Sequence, residues 1–382
     1  MFSHRSSIAS LLASFRIEGR TLCYGSFVAK LYNWCLALGF TPGRIIPSRA
    51  FCSDESQGFP IILLAKHFAA FPFNHGRVGG IVSVERHGPF AEHGKDLVLV
   101  QASHVGYDPD SGRFGLYRRL HTEHACMTAS CGKIGHILQD YARELDYARA
   151  NVRLTRHTGR PALIIDNWLL TRERREGLFL IPERLIEAAV GERLPEPLAA
   201  RSTGLIYAAA QSLVDRLGAA AWPPSGSEPI GTRLAPEDFV YRRPGLDAHD
   251  VQHQLERNLL APMPWILTAR HPYLSAACAN TQAEFDRTYR SLAREPAVQG
   301  KNLLFVSGLN IDISPADGET FPLTRFVPWA AYLQRAEGER RLLEQDELWT
   351  ELDRQPADNP DQIDLERAIH ALRRGREVEI SL

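Results

Sequence analysis

From Ser26 to Gly39 the apolar side chains fall at Phe27, Val28, Leu31, Trp34, Cys35 and Leu38. This is the i, i+3, i+4, i+7 spacing of an amphipathic helix, and Gly39 suits its C-cap. Arg44 to Phe51 reads as extended and runs into a polar turn, Cys52-Ser53-Asp54-Glu55, with Ile61 to Ala70 as a helix packed under it. Two later runs lose the helical period altogether. Gly79 to Val84 (GGIVSV) and Asp96 to Ala102 (DLVLVQA) are nearly continuous in Val, Leu and Ile, as in strands buried on both faces of an α/β sheet. Each gives way to polar residues, Glu85-Arg86-His87 after the first and Ser103-His104 after the second. Open α/β sheets gather their sites at the carboxyl ends of such strands.

Downstream, Gly132 to Leu154 predicts a long helix, Pro161 to Leu170 a buried strand, and Pro182 to Val190 and Leu205 to Leu217 two more helices. Ala221 to Pro236, with WPPSGSEP inside it, reads as a linker or long loop. Beyond it come a polar helix (Ala248 to Leu260), a helix from Thr281 to Arg294 with Thr281 and Glu284 spaced as a capping box, and a strand from Asn302 to Val306. A charged helix opens the tail, Asn359 to Leu382. The pattern predicts an α/β fold, a central sheet with flanking helices and a C-terminal extension. The expected divisions are an N-terminal extension over 1–23, a core over 24–218, and an extension over 219–382 packed on that core.

Composition narrows the function classes. The 382 residues carry 44 Lys+Arg against 45 Asp+Glu, so no global field draws the chain to nucleic acid. No apolar stretch approaches the ~20 residues that span a bilayer, and no membrane association is expected. Six cysteines (Cys23, Cys35, Cys52, Cys126, Cys131, Cys278) are too sparse for a disulfide scaffold. Basic residues precede the first acid, Glu18, a weak transit-peptide signature; a basic helix from Ser7 to Ile17 accounts for them better. Reduced thiols and a cytoplasmic location are expected.

The chain has no P-loop, no G-x-S-x-G elbow, no H-E-x-x-H and no paired C-x-x-C, and its Gly76, Gly79 and Gly80 precede a run of strand pattern instead of joining strand to helix. What remains is a soft-ligand set. Cys52 follows an extended segment, His104 follows DLVLVQA, and Cys131 precedes a helix. Two thiolates and one imidazole suit zinc, and three protein ligands leave a fourth position open, as in catalytic sites. Asp54 lies two residues from Cys52, within reach of that position. A competing cluster, His121, His124, Cys126 and Cys131, would instead close a structural site in one loop. Spacing alone leaves catalytic zinc, structural zinc and no zinc all open.

At Cys52-x-Asp54 the chain resembles β-type carbonic anhydrases, in which a Cys-x-Asp pair precedes a strand-closing His by some fifty residues and a second Cys comes before Gly. Here Cys131 lies 27 residues after His104 instead of three, and Ser56 stands where those enzymes place the arginine that partners the Asp. Both departures resemble the limiting-CO2-inducible protein B/C family, a β-like branch related to the theta class. The stretches YGSFVAKLYNWC, PSRAFCSDESQGFPIILLAKH, FPFNHGRVGGIVSVERHGP and DLVLVQASHVGYDP carry the resemblance, densest over about 24–135. PALIIDNW and FPLTRFVPWAAY extend it more weakly.

The resemblance implies a β-carbonic-anhydrase-like fold, a homodimer, and zinc held by Cys52, His104 and Cys131. It assigns Asp54 and an arginine, Arg86 ahead of Arg77, as the catalytic dyad. The implied reaction is reversible hydration of carbon dioxide to bicarbonate by a zinc-bound hydroxide. It also implies two alternatives, since some members keep the fold without activity: an inactive zinc-containing homologue that binds bicarbonate or serves as structure. A different zinc hydrolase acting on small substrates stays open as well.

Overall fold

The structure, a computed structural model, describes residues 2–83, 96–118, 127–171, 173–246, 251–316, 319 and 322–373. It has a mixed α/β architecture and resolves into two compact units. One comprises 14–131 with 280–382, the other 1–13 with 132–279. These units cut the chain at other places than the linear ranges 24–218 and 219–382, because the segment from 280 onward returns to the sheet that 14–131 began. No helix among the described residues is long and apolar enough to cross a membrane.

The first unit is organised by four strands and two helices: α1 (Tyr24–Ala37), β1 (Ile45–Ala50), α2 (Gly58–Phe68), β2 (Asp96–Asp108), β3 (Leu303–Ile313) and β4 (Leu323–Gln334). β1, β2 and β3 run parallel, and β4 pairs antiparallel with β3. Short strands at Leu22–Cys23 and Phe73–Asn74 flank them in an eight-stranded mixed sheet. β2, near the middle, is buried without interruption from Leu97 to Gly106, which is why its sequence shows no alternation.

The strand period of two still sorts its side chains. Val98, Val100 and Ala102 join Leu304 and Val306 on one face, packed with Phe27, Leu31 and Trp34 of α1, Leu64 and Phe68 of α2, and Leu348 and Leu352. Leu97 and Leu99 join Leu303 and Phe305 on the other, against Phe285, Tyr289 and Leu292. Each such buried side chain contributes roughly 1.5–3 kcal/mol of transfer free energy.

The second unit contains the helix Gly132–Asn151, which ends directly in a hairpin of Val152–His157 and Arg160–Asp166. That hairpin is the centre of a five-stranded antiparallel sheet with Ala199–Arg201, Gly204–Ala208 and Ser227–Pro229. A separate antiparallel pair, Gly177–Leu180 and Phe239–Arg242, lies in the same unit.

Several expectations are corrected. Among the described residues of GGIVSV, 79–83, there is no strand: Val78–Gly80 forms a single 3-10 turn and Val82 makes an isolated bridge to Gly76, while Val84 lies outside the described residues. Leu205 to Leu217 splits into the strand Gly204–Ala208 and the helix Gln211–Leu217. The helix expected from Thr281 begins at Pro272, so Thr281 and Glu284 are interior residues, not a cap. Ala221 to Pro236 is no free linker, since it carries the strand Ser227–Pro229 and buries Trp222, Ile230 and Leu234.

The 3-10 turn demands glycine. Gly80 has φ +76°, and a Cβ there would come within 2.2 Å of the Ala102 carbonyl oxygen on β2. Gly80→Ala is expected to cost about 1–3 kcal/mol from overpacking alone, with the positive φ adding to it. The check is a lowered urea midpoint relative to Gly43→Ala, which shares the positive φ but has open space around it.

Candidate metal centre

Two loops and one strand converge at the carboxyl ends of β1 and β2. β1 delivers Cys52 just past its end, and β2 carries His104 within the strand instead of after it, because pairing with β3 continues to Tyr107. Cys131 arrives by an excursion. After β2, Leu116–Arg118 pairs antiparallel with Met127–Ala129, and the Gly106 amide donates to the Ser130 carbonyl at 3.0 Å. That excursion accounts for the 27-residue spacing: the insertion leaves β2 and returns to the same place.

The ligand atoms of Cys52, His104 and Cys131 all lie within 4.8 Å of one another, and all three residues are buried. The two sulfurs are 3.9 Å apart. Tetrahedral zinc with ~2.3 Å Zn–S bonds requires about 3.8 Å between sulfurs, so the pair is preset for such an ion. His104 Nε2 is buried with no hydrogen-bond partner among the described residues. An orphaned buried acceptor costs free energy unless something meets it, and a soft cation does. The donor set therefore fits zinc.

Electrostatics point the same way. Cys52 is driven well below the ordinary thiol range, first by its hydrogen bond with Cys131, with His104 and the Gly79 amide (3.1 Å from Cys52 Sγ) helping against burial. Cys131 is pushed up, by that same contact and by burial. The one contact thus moves the two thiols in opposite directions, and a metal held by thiolates would release the protons they still carry. Burial disfavours a charged His104, but the hydrogen bond to Asp312 and the neighbouring sulfurs outweigh it and raise its pKa.

Asp312 on β3 is the residue that sequence reasoning missed. It is fully buried, and its Oδ2 accepts from His104 Nδ1 at 2.9 Å, Ser56 Oγ at 2.8 Å and Gln57 Nε2 at 2.9 Å. Thr324 Oγ1 donates to Oδ1 at 3.2 Å. A carboxylate on Nδ1 places the proton there and turns Nε2 toward the sulfurs. A usable signal was present: LLFVSGLNIDI alternates apolar residues with Ser307, Asn310 and Asp312 in the half of β3 facing His104, but the expected strand stopped at Val306.

Asp54 caps the short turn Glu55–Gln57, accepting from the Ser56 amide at 3.3 Å, and its Oδ2 lies 4.0 Å from His104 Nε2. Burial pushes Asp54 up to about 6, with His104 pulling it down and Glu55 adding to the rise. Among the described residues no arginine pairs with it. Ser56, two residues on, is turned to Asp312. Arg77 is exposed, and Arg86 lies outside the described residues, as do His121, His124 and Cys126 of the competing cluster.

No protein-family profile matches the chain, and no curated protein does. Solved structures do. The crystal structure of PtLCIB4, a homolog of the limiting CO2-inducible protein LCIB, matches with a TM-score of 0.50 at 13% identity, covering 86% of this chain and 95% of that one. A histidine-to-alanine point mutant of PtLCIB4 gives 0.50 at 12%, covering 85% and 93%. At such identity the likeness speaks for architecture alone: this chain has the fold of an LCIB homologue.

Proposed function

We propose that this protein is a zinc-dependent carbonic anhydrase, hydrating carbon dioxide to bicarbonate, with Cys52, His104 and Cys131 as metal ligands and Asp54 as the catalytic carboxylate. The observation that carries the reading is the preset triad of two sulfurs and one orphaned imidazole nitrogen with a half-buried carboxylate 4.0 Å away. The fold of a protein named for limiting CO2 supports it. When bound, zinc supplies the Lewis acidity that makes water nucleophilic near pH ~7.

The protein's own residues do the rest. Asp54 accepts a hydrogen bond from the attacking oxygen and aims it. Asp312 holds the His104 tautomer, and the Gly79 amide stabilises Cys52 as thiolate. Burial of the cluster keeps bulk water from weakening these contacts. On this reading an arginine, Arg86 ahead of Arg77, keeps Asp54 ionised, and the protein works as a cytoplasmic homodimer.

One observation favours a second reading. With Ser56 committed to Asp312, no arginine pairs with Asp54 among the described residues, as suits an inactive zinc-containing homologue that binds bicarbonate or keeps the metal for structure. Stopped-flow carbon dioxide hydration by the zinc-loaded protein separates the two. A rate above buffer, climbing between roughly pH 7 and 9, is expected of the enzyme. No rate with zinc fully loaded selects the second reading.

Asp312→Asn tests the positioning role apart from turnover. The amide keeps the shape but presents only one acceptor oxygen, so zinc affinity is expected to fall about 10–100-fold in competition with a chelator. Unchanged affinity would remove Asp312 from the site.

A further inference from the structure

In the unit formed by 1–13 and 132–279 lies a cavity of about 560 Å³, remote in sequence from Cys52, His104 and Asp312. That is a typical size for an organic ligand and far more than carbon dioxide or bicarbonate needs. Its apolar wall includes Leu169, Leu185 and Ile186, and its charged lining is three arginines (Arg174, Arg193, Arg242) against one acid, Glu192. Glu192 already pairs with Arg242.

The antiparallel pair Gly177–Leu180 and Phe239–Arg242 sets the polar end. Gly177 opposes Arg242, so Phe179, two residues on, shares a face with that arginine. The guanidinium carbons of Arg242 and Arg174 sit 4.5 and 4.8 Å from the Phe179 ring centroid. Trp168 lies 5.8 Å from Arg174 and braces it further. Arg174 is half-buried, and its Nη2 is buried with no hydrogen-bond partner among the described residues. Burial lowers its pKa, with Glu144 acting in the opposite direction. A guanidinium held over aromatic rings, lining a cavity with an apolar wall and an excess of arginines over acids, is suited to receive an acceptor-rich anionic head.

We propose that this cavity binds a small organic anion, an aromatic or aliphatic body carrying one phosphate or carboxylate, with Arg174 and Arg242 on the anionic group and the Leu169–Leu185–Ile186 wall on the body. Nothing in the site's chemistry needs the metal centre, so the proposal stands whether or not the protein hydrates carbon dioxide.

The test is calorimetric titration of the full chain with 1-naphthyl phosphate, 1-naphthoate, 1-naphthol and inorganic phosphate. At least one of the two naphthyl anions is expected to bind ten-fold or more tightly than either naphthol or phosphate alone, and the tighter of the two identifies the preferred head. Arg174→Gln and, separately, the exposed Arg242→Gln should each weaken that anion ten-fold or more, while Arg175→Gln, whose side chain is not part of the lining, should leave it unchanged. Thermal melting checks that each variant is folded, and the Arg242 variant carries the test if the Arg174 variant is not. Equal binding of naphthol and both anions, no binding of either anion, or full affinity in folded arginine variants would each overturn the proposal.

Discussion

Cys52→Ser is expected to yield protein with essentially no zinc, against about one zinc per chain for the unaltered protein, as measured by metal analysis after gel filtration. The Cys52 thiol is drawn below the ordinary thiol range by its hydrogen bond with Cys131, with His104 and the Gly79 amide acting the same way. A serine hydroxyl neither ionises near neutral pH nor matches zinc's preference for soft ligands. Cys131→Ser should behave alike, removing the other half of the 3.9 Å sulfur pair. Cys126→Ser should keep its zinc. Retention of metal in both Cys52→Ser and Cys131→Ser would mean that the triad is only a buried cluster.

Asp54→Ala is expected to part metal from turnover, keeping zinc while carbon dioxide hydration falls about 100-fold or more, within the range by which a positioned acid–base group contributes. Asp54 is close to the cluster, 4.0 Å from His104 Nε2, yet belongs to the short turn that it caps and not to the set of mutually close soft donors. Loss of zinc in this variant would make Asp54 a ligand. Full activity with zinc retained would assign the hydrogen-bonding role elsewhere.

Much of the first unit was legible because its hydrophobic code is local. The 3.6-residue period marks Tyr24–Ala37, and the unbroken apolar run of Leu97–Val100 reports a strand covered on both faces. GGIVSV misled because Ile81 and Val82 are buried beside a 3-10 turn whose glycines supply positive φ, a requirement that hydrophobicity does not encode. Leu205 to Leu217 misled because strand and helix abut with only two residues between them, so a single helical pattern spanned both. Cys52, His104 and Cys131 were nameable from residue type and resemblance. Asp312 was missed because the expected strand ended at Val306, short of the polar positions of LLFVSGLNIDI, and because the pairing that brings it to His104 joins residues 208 apart in sequence. The dyad arginine is still an expectation.

The contact between His104 and Asp312 spans 208 residues of sequence. β2 is made well before its parallel neighbour β3, which emerges only after the whole of 132–279. Until then one edge of an unusually apolar strand has no partner for its amides and carbonyls, the condition that invites pairing with another chain. The closure entropy of so long a loop must also be met before β3 can dock, so the sheet belongs to the slow end of folding topologies. Chaperone demand in the cell, and yield on refolding from urea, should therefore be governed by the arrival of Leu303–Ile313 more than by the metal.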